Sequence, residues 1–471
     1  DERHIGLIVY DSIIIGAGMS GLAAGIRAAY YDQKVCILER HNTIGGLNSF
    51  YRLRGRNYDV GLHAVTNFTP RGTRHGPFAR LLRQLRLTWD DFGLSPQLMS
   101  SISFPNVELA FDNNIDLLRS EVARAFPHQI DNFEKLMDSL IDYDDLEQSH
   151  FELSTRERLS EVITDPLLVE MILCPVMWYG NPREHDMDYG QFCIMFRALF
   201  LEGLARPFDG VRLILRKLVR KFRELGGELK LRTGVHQIKI ENGRAVGVIL
   251  DCGDEMSGKN ILSSVGAVET FRLCDDKDIT HVHKTGQLSF IEAISTLDTY
   301  PAQLGHDKTI IFFNDSDKFH WQRPLDDLCD VRTGVICTPN NYCYDAADGE
   351  LPDGIMRITA LADFNRWKNL NKEDYDRQKD IWFNKVVNSA TKFAPDYREH
   401  TIDTDIFTPQ TIQRFTSHDN GAVYGATRKW FDGTTNFNNL FLCGTDQGFV
   451  GIVGSIISGI SMANHHLLRG N

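Results

Sequence analysis

The sequence predicts an α/β chain, α+β overall, in which a domain built on a parallel sheet is interrupted by an inserted domain of mixed sheet and helices. Three observations carry that expectation. Asp11 to Leu38 (DSIIIGAGMSGLAAGIRAAYYDQKVCIL) reads as strand, tight turn, helix and strand. Its apolar runs Ile13, Ile14, Ile15 and Val35, Cys36, Ile37, Leu38 are of the kind a parallel sheet buries on both faces. Near the other end, Leu440, Phe441 and Leu442 form a strand followed by a glycine-rich turn and a helix from about Gly451. Between these ends the pattern changes. It is mainly helical over 78–221, then shows strands at 228–231, 235–240 and 245–250, with Asn242-Gly243 as a hairpin turn. Further β-rich stretches lie within 290–313 and 331–361.

Size and composition narrow the function. A chain of 471 residues is long enough for two domains with large cores. Its 51 basic residues against 63 acidic ones give a net charge of −12, which argues against a nucleic-acid partner because no basic field replaces phosphate counterions. One local exception is Arg212 to Arg223 (RLILRKLVRKFR), which at helical spacing reads as an amphipathic surface helix, with a membrane-surface helix as the sharper alternative. The nine cysteines include no CxxC pair and no metal-ligand spacing. Cys174, Cys193 and Cys443 read as reduced core residues, which predicts a cytoplasmic, reducing compartment and no metal site. No apolar run is long enough to span a bilayer, and the charged start Asp1 to Ile5 lacks the apolar core of a secretion signal.

Gly16-Ala17-Gly18-Met19-Ser20-Gly21 is a GxGxxG pattern lying directly after a buried strand and opening a helix. Gly16 permits the tight turn, Gly18 lets backbone approach a pyrophosphate, and Gly21 allows close helix–strand packing. The pyrophosphate then sits on the positive helix N-terminus, at Met19 and Ser20. Glu39, followed by Arg40, ends the second strand about 20 residues on, where an acid takes the ribose hydroxyls of the adenosine half. The fingerprint alone does not choose between NAD and FAD. A second glycine pair, Gly45-Gly46, followed by Leu47-Asn48, does.

With that pair the sequence resembles the FAD-dependent amine oxidase and phytoene desaturase superfamily. The resemblance implies a Rossmann-like FAD-binding domain of the glutathione-reductase and amine-oxidase type, with FAD held non-covalently. Gly444-Thr445-Asp446 resembles the family's closing motif, which implies that Asp446 meets the ribityl or pyrophosphate portion. The helix start at Gly451, Ile452 and Val453 would then aim amides at the flavin, and Thr233-Gly234-Val235 would contact adenine. The implied division assigns 1–77, 222–285 and 426–471 to FAD binding, 78–221 to a helical, substrate- and membrane-facing insertion, and 286–425 to a substrate-domain sheet.

Three features are similar to the phytoene desaturase, carotenoid isomerase and retinol saturase branch: Tyr58-Asp59-Val60-Gly61-Leu62-His63, Thr408-Pro409-Gln410 with Gly421-Ala422-Val423-Tyr424-Gly425, and an insertion rich in large apolar residues. Leu47-Asn48 stands where many amine oxidases carry an arginine. This branch implies an oxidoreductase that desaturates, saturates or isomerises C–C and C=C bonds of a long apolar, polyisoprenoid lipid by hydride transfer with flavin N5, drawing it from a membrane surface by peripheral contact. Met177, Phe192, Met195, Phe196 and Phe200 are the candidate pocket residues. His63 is the candidate catalytic residue, with a core histidine as the plainer alternative. A flavin amine or amino-acid oxidase is the second reading, and a flavin-free escort protein like the GDP-dissociation inhibitors the third. The oligomeric state is left open.

Overall fold

A computed structural model of the chain describes residues 9–61, 63–144, 152–274 and 285–469; Leu62 and the Asp1–Ile5 start lie outside them. The apolar runs form the centre of a seven-stranded sheet whose order is Val235–Glu241, Arg244–Leu250, Glu255–Ser263, Val9–Ile15, Val35–Leu38, Glu228–Lys230, with Leu440–Leu442 pairing beside Glu255–Ser263. Ile13 pairs in parallel with Cys36 on one side and Ile261 on the other, and Ile261 in turn with Leu440. Both ends of the chain and its middle therefore meet in one sheet. The strand Glu255–Ser263 was not anticipated: its first half is polar, and only its last residues (NILS) look like a buried strand.

The helix Met19–Ala29 is buried along its whole length. Small residues are required there because the closing helix, Gly451–Met462, lies directly on it: a Cβ at Gly459 would come 2.0 Å from Ser20 O. The helix Val211–Glu224 turns Val211, Ile214, Leu215, Leu218 and Phe222 onto the same core and leaves its cations outward. The amphipathic-surface reading of that segment holds, whereas the apolar face a membrane helix would need is already covered. Phe78, Leu81 and Leu85 of the helix Gly76–Leu85 join this core as well. The segment 78–221 is thus no single helical unit.

The second sheet runs Thr401–Phe407, Ser289–Leu297, Gly354–Ala362, Cys329–Cys337, Ile310–Asn314, Ser100–Phe104, Val107–Phe111. All neighbours are antiparallel except Ile310–Asn314 with Ser100–Phe104. The last two strands form a hairpin turning at Asn106 (φ 62°) inside the stretch expected to be helical. Alternation divides this sheet between two cores. Ile291, Ala293, Ile336, Met356, Ile358 and Ala360 face the helix Lys372–Ala390 with its Trp382 and Val386. Phe290, Val335, Cys337 and Leu361 face the insertion, where the helices Pro166–Gly180 and Tyr189–Phe196 pack.

Candidate active site

A cavity of about 450 Å³ lies between the two sheets, in the range that holds a cofactor or substrate. At one end it is lined by the fingerprint turn and its partners: Gly16, Gly18, Met19, Ser20, Glu39, Arg40, Gly45, Gly46, Leu47, Asn48, Thr233 and Val235. Gly16 adopts φ +97° and Gly45 φ +105°, which side chains rarely adopt, and Gly45 N donates to Ala17 O at 3.0 Å, tying the second glycine loop to the first. A Cβ built at Gly18 or Gly46 would meet nothing within 4 Å, so both glycines border open space rather than packed protein. That space, above helix N-termini at Met19 and Gly451 that carry no side-chain cap, fits a dinucleotide.

Glu39 is buried and its carboxylate already has protein partners: Ala17 N donates to Oε2 and His41 N to Oε1, each at 2.9 Å. Each oxygen keeps a further lone pair for a ribose hydroxyl. Ile452 lines the cavity with Gly451, whereas Gly21, Gly444, Asp446 and Val453 lie behind it. The Asp446 carboxylate accepts from Ala267 N at 2.7 Å and Ala426 N at 2.8 Å, with Lys429 Nζ 3.5 Å away. Burial pulls the Lys429 ammonium below its ordinary value even beside that carboxylate. Asp446 thus clamps the loops around the closing motif.

The other end of the cavity is a wall of Trp178, Tyr179, Phe290, Val335, Phe407, Ile412, Val423 and Tyr424. Trp178 and Tyr179 sit on the last turn of the helix Pro166–Gly180, and the Tyr424 hydroxyl donates to Trp178 O. The five residues expected to form a tunnel are elsewhere. Met177, Phe192, Met195, Phe196 and Phe200 are at most 1% exposed and none lines the cavity. The Phe192 and Phe196 rings pack tilted with centroids 5.6 Å apart, Phe196 and Phe200 likewise at 4.8 Å, and Phe200 meets Phe111 edge-on at 4.9 Å. Helical spacing put them on one face, and that face is a core.

His63 lines the cavity at the junction of the two ends. Its Nε2 lies 3.2 Å from Glu292 Oε2 and 3.2 Å from Thr359 Oγ1. Glu292 and Thr359 are a directly opposed cross-strand pair, and Arg357, opposite Ile294, is the diagonal neighbour that pairs with the Glu292 carboxylate. Burial works to raise the Glu292 carboxyl, but the Arg357 guanidinium and then His63 hold it below the usual carboxylate range. The segment before His63 is clamped too. Asp59 accepts from Arg206 at 3.0 Å and from Val211 N, at the start of the helix Val211–Glu224, at 3.1 Å. Glu292 and Thr359 escaped the sequence reading, and the usable signal was a lone charge in each of two apolar strands, IEAIS and MRITALA.

The description "NAD(P)-binding Rossmann-like domain" matches residues 14–85. Over 97% of its length the chain is 24% identical to the prolycopene isomerase of Daucus carota, covering 79% of that protein. It is 21% identical over 98% of its length to the all-trans-retinol 13,14-reductase of Danio rerio, covering 86% of it. The chain is an FAD-dependent oxidoreductase that is similar along nearly its whole length to a carotenoid isomerase and a retinol reductase. Its fold matches a crystal structure of an oxidoreductase from Methanosarcina mazei with a TM-score of 0.67 at 15% identity, over 96% of this chain and 99% of that one. Among the described residues no helix is long and apolar enough to cross a membrane.

Proposed function

We propose that this oxidoreductase acts on C–C or C=C bonds of a long apolar, polyisoprenoid-type lipid, with FAD held non-covalently. The observation that carries the reading is the continuity of one cavity from the glycine cradle to the aromatic wall, with His63 between them. Gly16 to Ser20 and the helix start behind them would hold the pyrophosphate, Glu39 the ribose, Thr233 and Val235 the adenine, and Gly45 to Asn48 with Gly451 and Ile452 the flavin half. Among the described residues no cysteine lines the cavity, in keeping with a non-covalent cofactor. Acid precipitation of the purified protein should leave all flavin in the supernatant; yellow colour in the pellet would contradict this.

Adding or removing hydrogen across a carbon–carbon bond moves a hydride and a proton, and FAD when bound supplies the partner for the hydride. The chain must handle the rest. The aromatic wall excludes water and gains about 0.8 kcal/mol for each CH₂ it takes from water, which favours long chains over small polar amines. His63 is the ionisable side chain placed to hold or release the proton, and Glu292 orients it. The named relatives, a prolycopene isomerase and a retinol reductase, lend support for an isoprenoid substrate. Such a lipid would be drawn from a membrane surface by peripheral contact. Incubation with a twenty- to forty-carbon polyene, followed by mass spectrometry, should give a product changed by two hydrogens or an isomer of unchanged mass. Unaltered polyene, with turnover of a short amine instead, would sink the reading.

A further inference from the structure

We infer that Glu292, backed by Arg357, is a positioning residue that decides which nitrogen of His63 works: Nε2 keeps a proton against Glu292, and Nδ1 is the atom that exchanges a proton with the cavity's ligand. This rests on the proposed role of His63, but the tautomer can be read without any substrate.

Hydrogen-bond chemistry settles the assignment. An ionised carboxylate only accepts, so the His63 nitrogen 3.2 Å from Glu292 Oε2 must carry the hydrogen, and that nitrogen is Nε2. Glu292 is held ionised by the buried Arg357 guanidinium, which outweighs the effect of its own burial. Thr359 Oγ1 is the second atom within reach of the same nitrogen. Nδ1 has no hydrogen-bond partner among the described residues and is not a buried atom, on a ring that lines the cavity.

The surroundings also fix where the ring stands. Arg357 donates to Val60 O at 2.9 Å, and the Tyr342 hydroxyl, from the segment after the strand Cys329–Cys337, donates to His63 O at 2.7 Å, so the backbone at Val60 and at His63 is held from two directions. Of the other titratable groups near it, Cys337 has its thiol pushed up to about 12 by burial, and Tyr342 and Tyr179 are pushed well above their ordinary value for the same reason. All three stay protonated at neutral pH. Glu292 and Arg357 are therefore the charges that govern the imidazole, a carboxylate–histidine arrangement in which the acid fixes the tautomer.

The test is nitrogen NMR of the whole protein labelled with ¹⁵N-histidine, with the His63 signals assigned by their loss in His63→Gln. In its neutral form, His63 of the wild type should carry its hydrogen on Nε2. Glu292→Gln presents either an amide oxygen or an amide N–H, so it should give a mixture of both tautomers. Its kcat on the polyene should fall about a hundredfold or more, with KM and flavin content close to wild type. Arg357→Lys, which keeps the charge beside Glu292, should retain the wild-type tautomer. A hydrogen on Nδ1 in the wild type would overturn the assignment, as would unchanged tautomer and kcat in Glu292→Gln. If Glu292→Gln does not fold, the wild-type spectrum still decides. If the polyene is never turned over while the hydrogen sits on Nε2, the proposed reaction fails and the positioning role stands.

Discussion

The two ends of the cavity are built on opposite principles. At the dinucleotide end the elements come mainly from one local stretch: the turn at Gly16, the acid Glu39 and the loop at Gly45 are neighbours in sequence and are tied by backbone hydrogen bonds. Polar groups there are satisfied by amides, and space is created by missing side chains. At the other end the lining comes from segments around residues 63, 178, 290, 335, 359, 412 and 423, brought together by cross-strand register and helix packing. Charge there is buried and compensated by charge, Glu292 by Arg357. A recurring ligand can be met by a short motif, whereas a substrate-shaped wall must be assembled by the fold.

That contrast can be tested most forcefully at Arg357. Arg357→Met leaves Glu292 buried without its cation and should cost about 3–5 kcal/mol of stability at neutral pH, seen as a lower melting temperature. The pH dependence follows from the depressed Glu292 carboxyl. Its stabilisation is present above the ordinary carboxylate pKa and is lost as pH falls through the lower value in the folded state. The melting temperatures of wild type and Arg357→Met should therefore converge as pH is lowered from neutral towards acid. A constant gap would show that the ion pair is not the cause.

His63→Gln comes next. It should lower kcat on a polyene by about 10²–10³ while flavin content and melting temperature change little, because the glutamine amide can still donate to Glu292 and the backbone carbonyl of residue 63 keeps its bond from Tyr342. Loss of flavin in this variant would place His63 in cofactor retention instead. At the dinucleotide end, Glu39→Gln turns an NH₂ towards one of the two amides that Glu39 now receives. FAD affinity should fall by about 1.5–3 kcal/mol, measured as occupancy after dialysis, with kcat of the loaded fraction unchanged.

Legibility in the sequence follows the same division. The βαβ unit, the glycine pair, the acid at 39 and the closing helix were readable because each is a local pattern with one physical meaning. Asp446 was readable as important, yet its carboxylate faces Ala267, Ala426 and Lys429, contacts that no linear pattern exposes. The apolar helix residues 192–200 were misplaced for a general reason: helical periodicity marks a buried face without saying whether a ligand or protein buries it. The hairpin 100–111 was passed over because its two short strands lie between helical stretches, although Asn106 marks its turn.

The smallest expected effect sharpens that correction. Phe196→Leu should cost about 1 kcal/mol of stability, as a near-conservative core change, and leave KM for a long polyene unaltered. A raised KM without loss of stability would return the residue to the substrate path.

The central claim, one cavity shared by FAD and an apolar chain, is tested most directly by anaerobic spectroscopy of the flavin-loaded protein. A long polyene and a short primary amine would be added in separate samples. The polyene should perturb or change the oxidation state of the flavin at micromolar concentrations, and the amine should leave the spectrum untouched. Bleaching by the amine, with no response to the polyene, would contradict it.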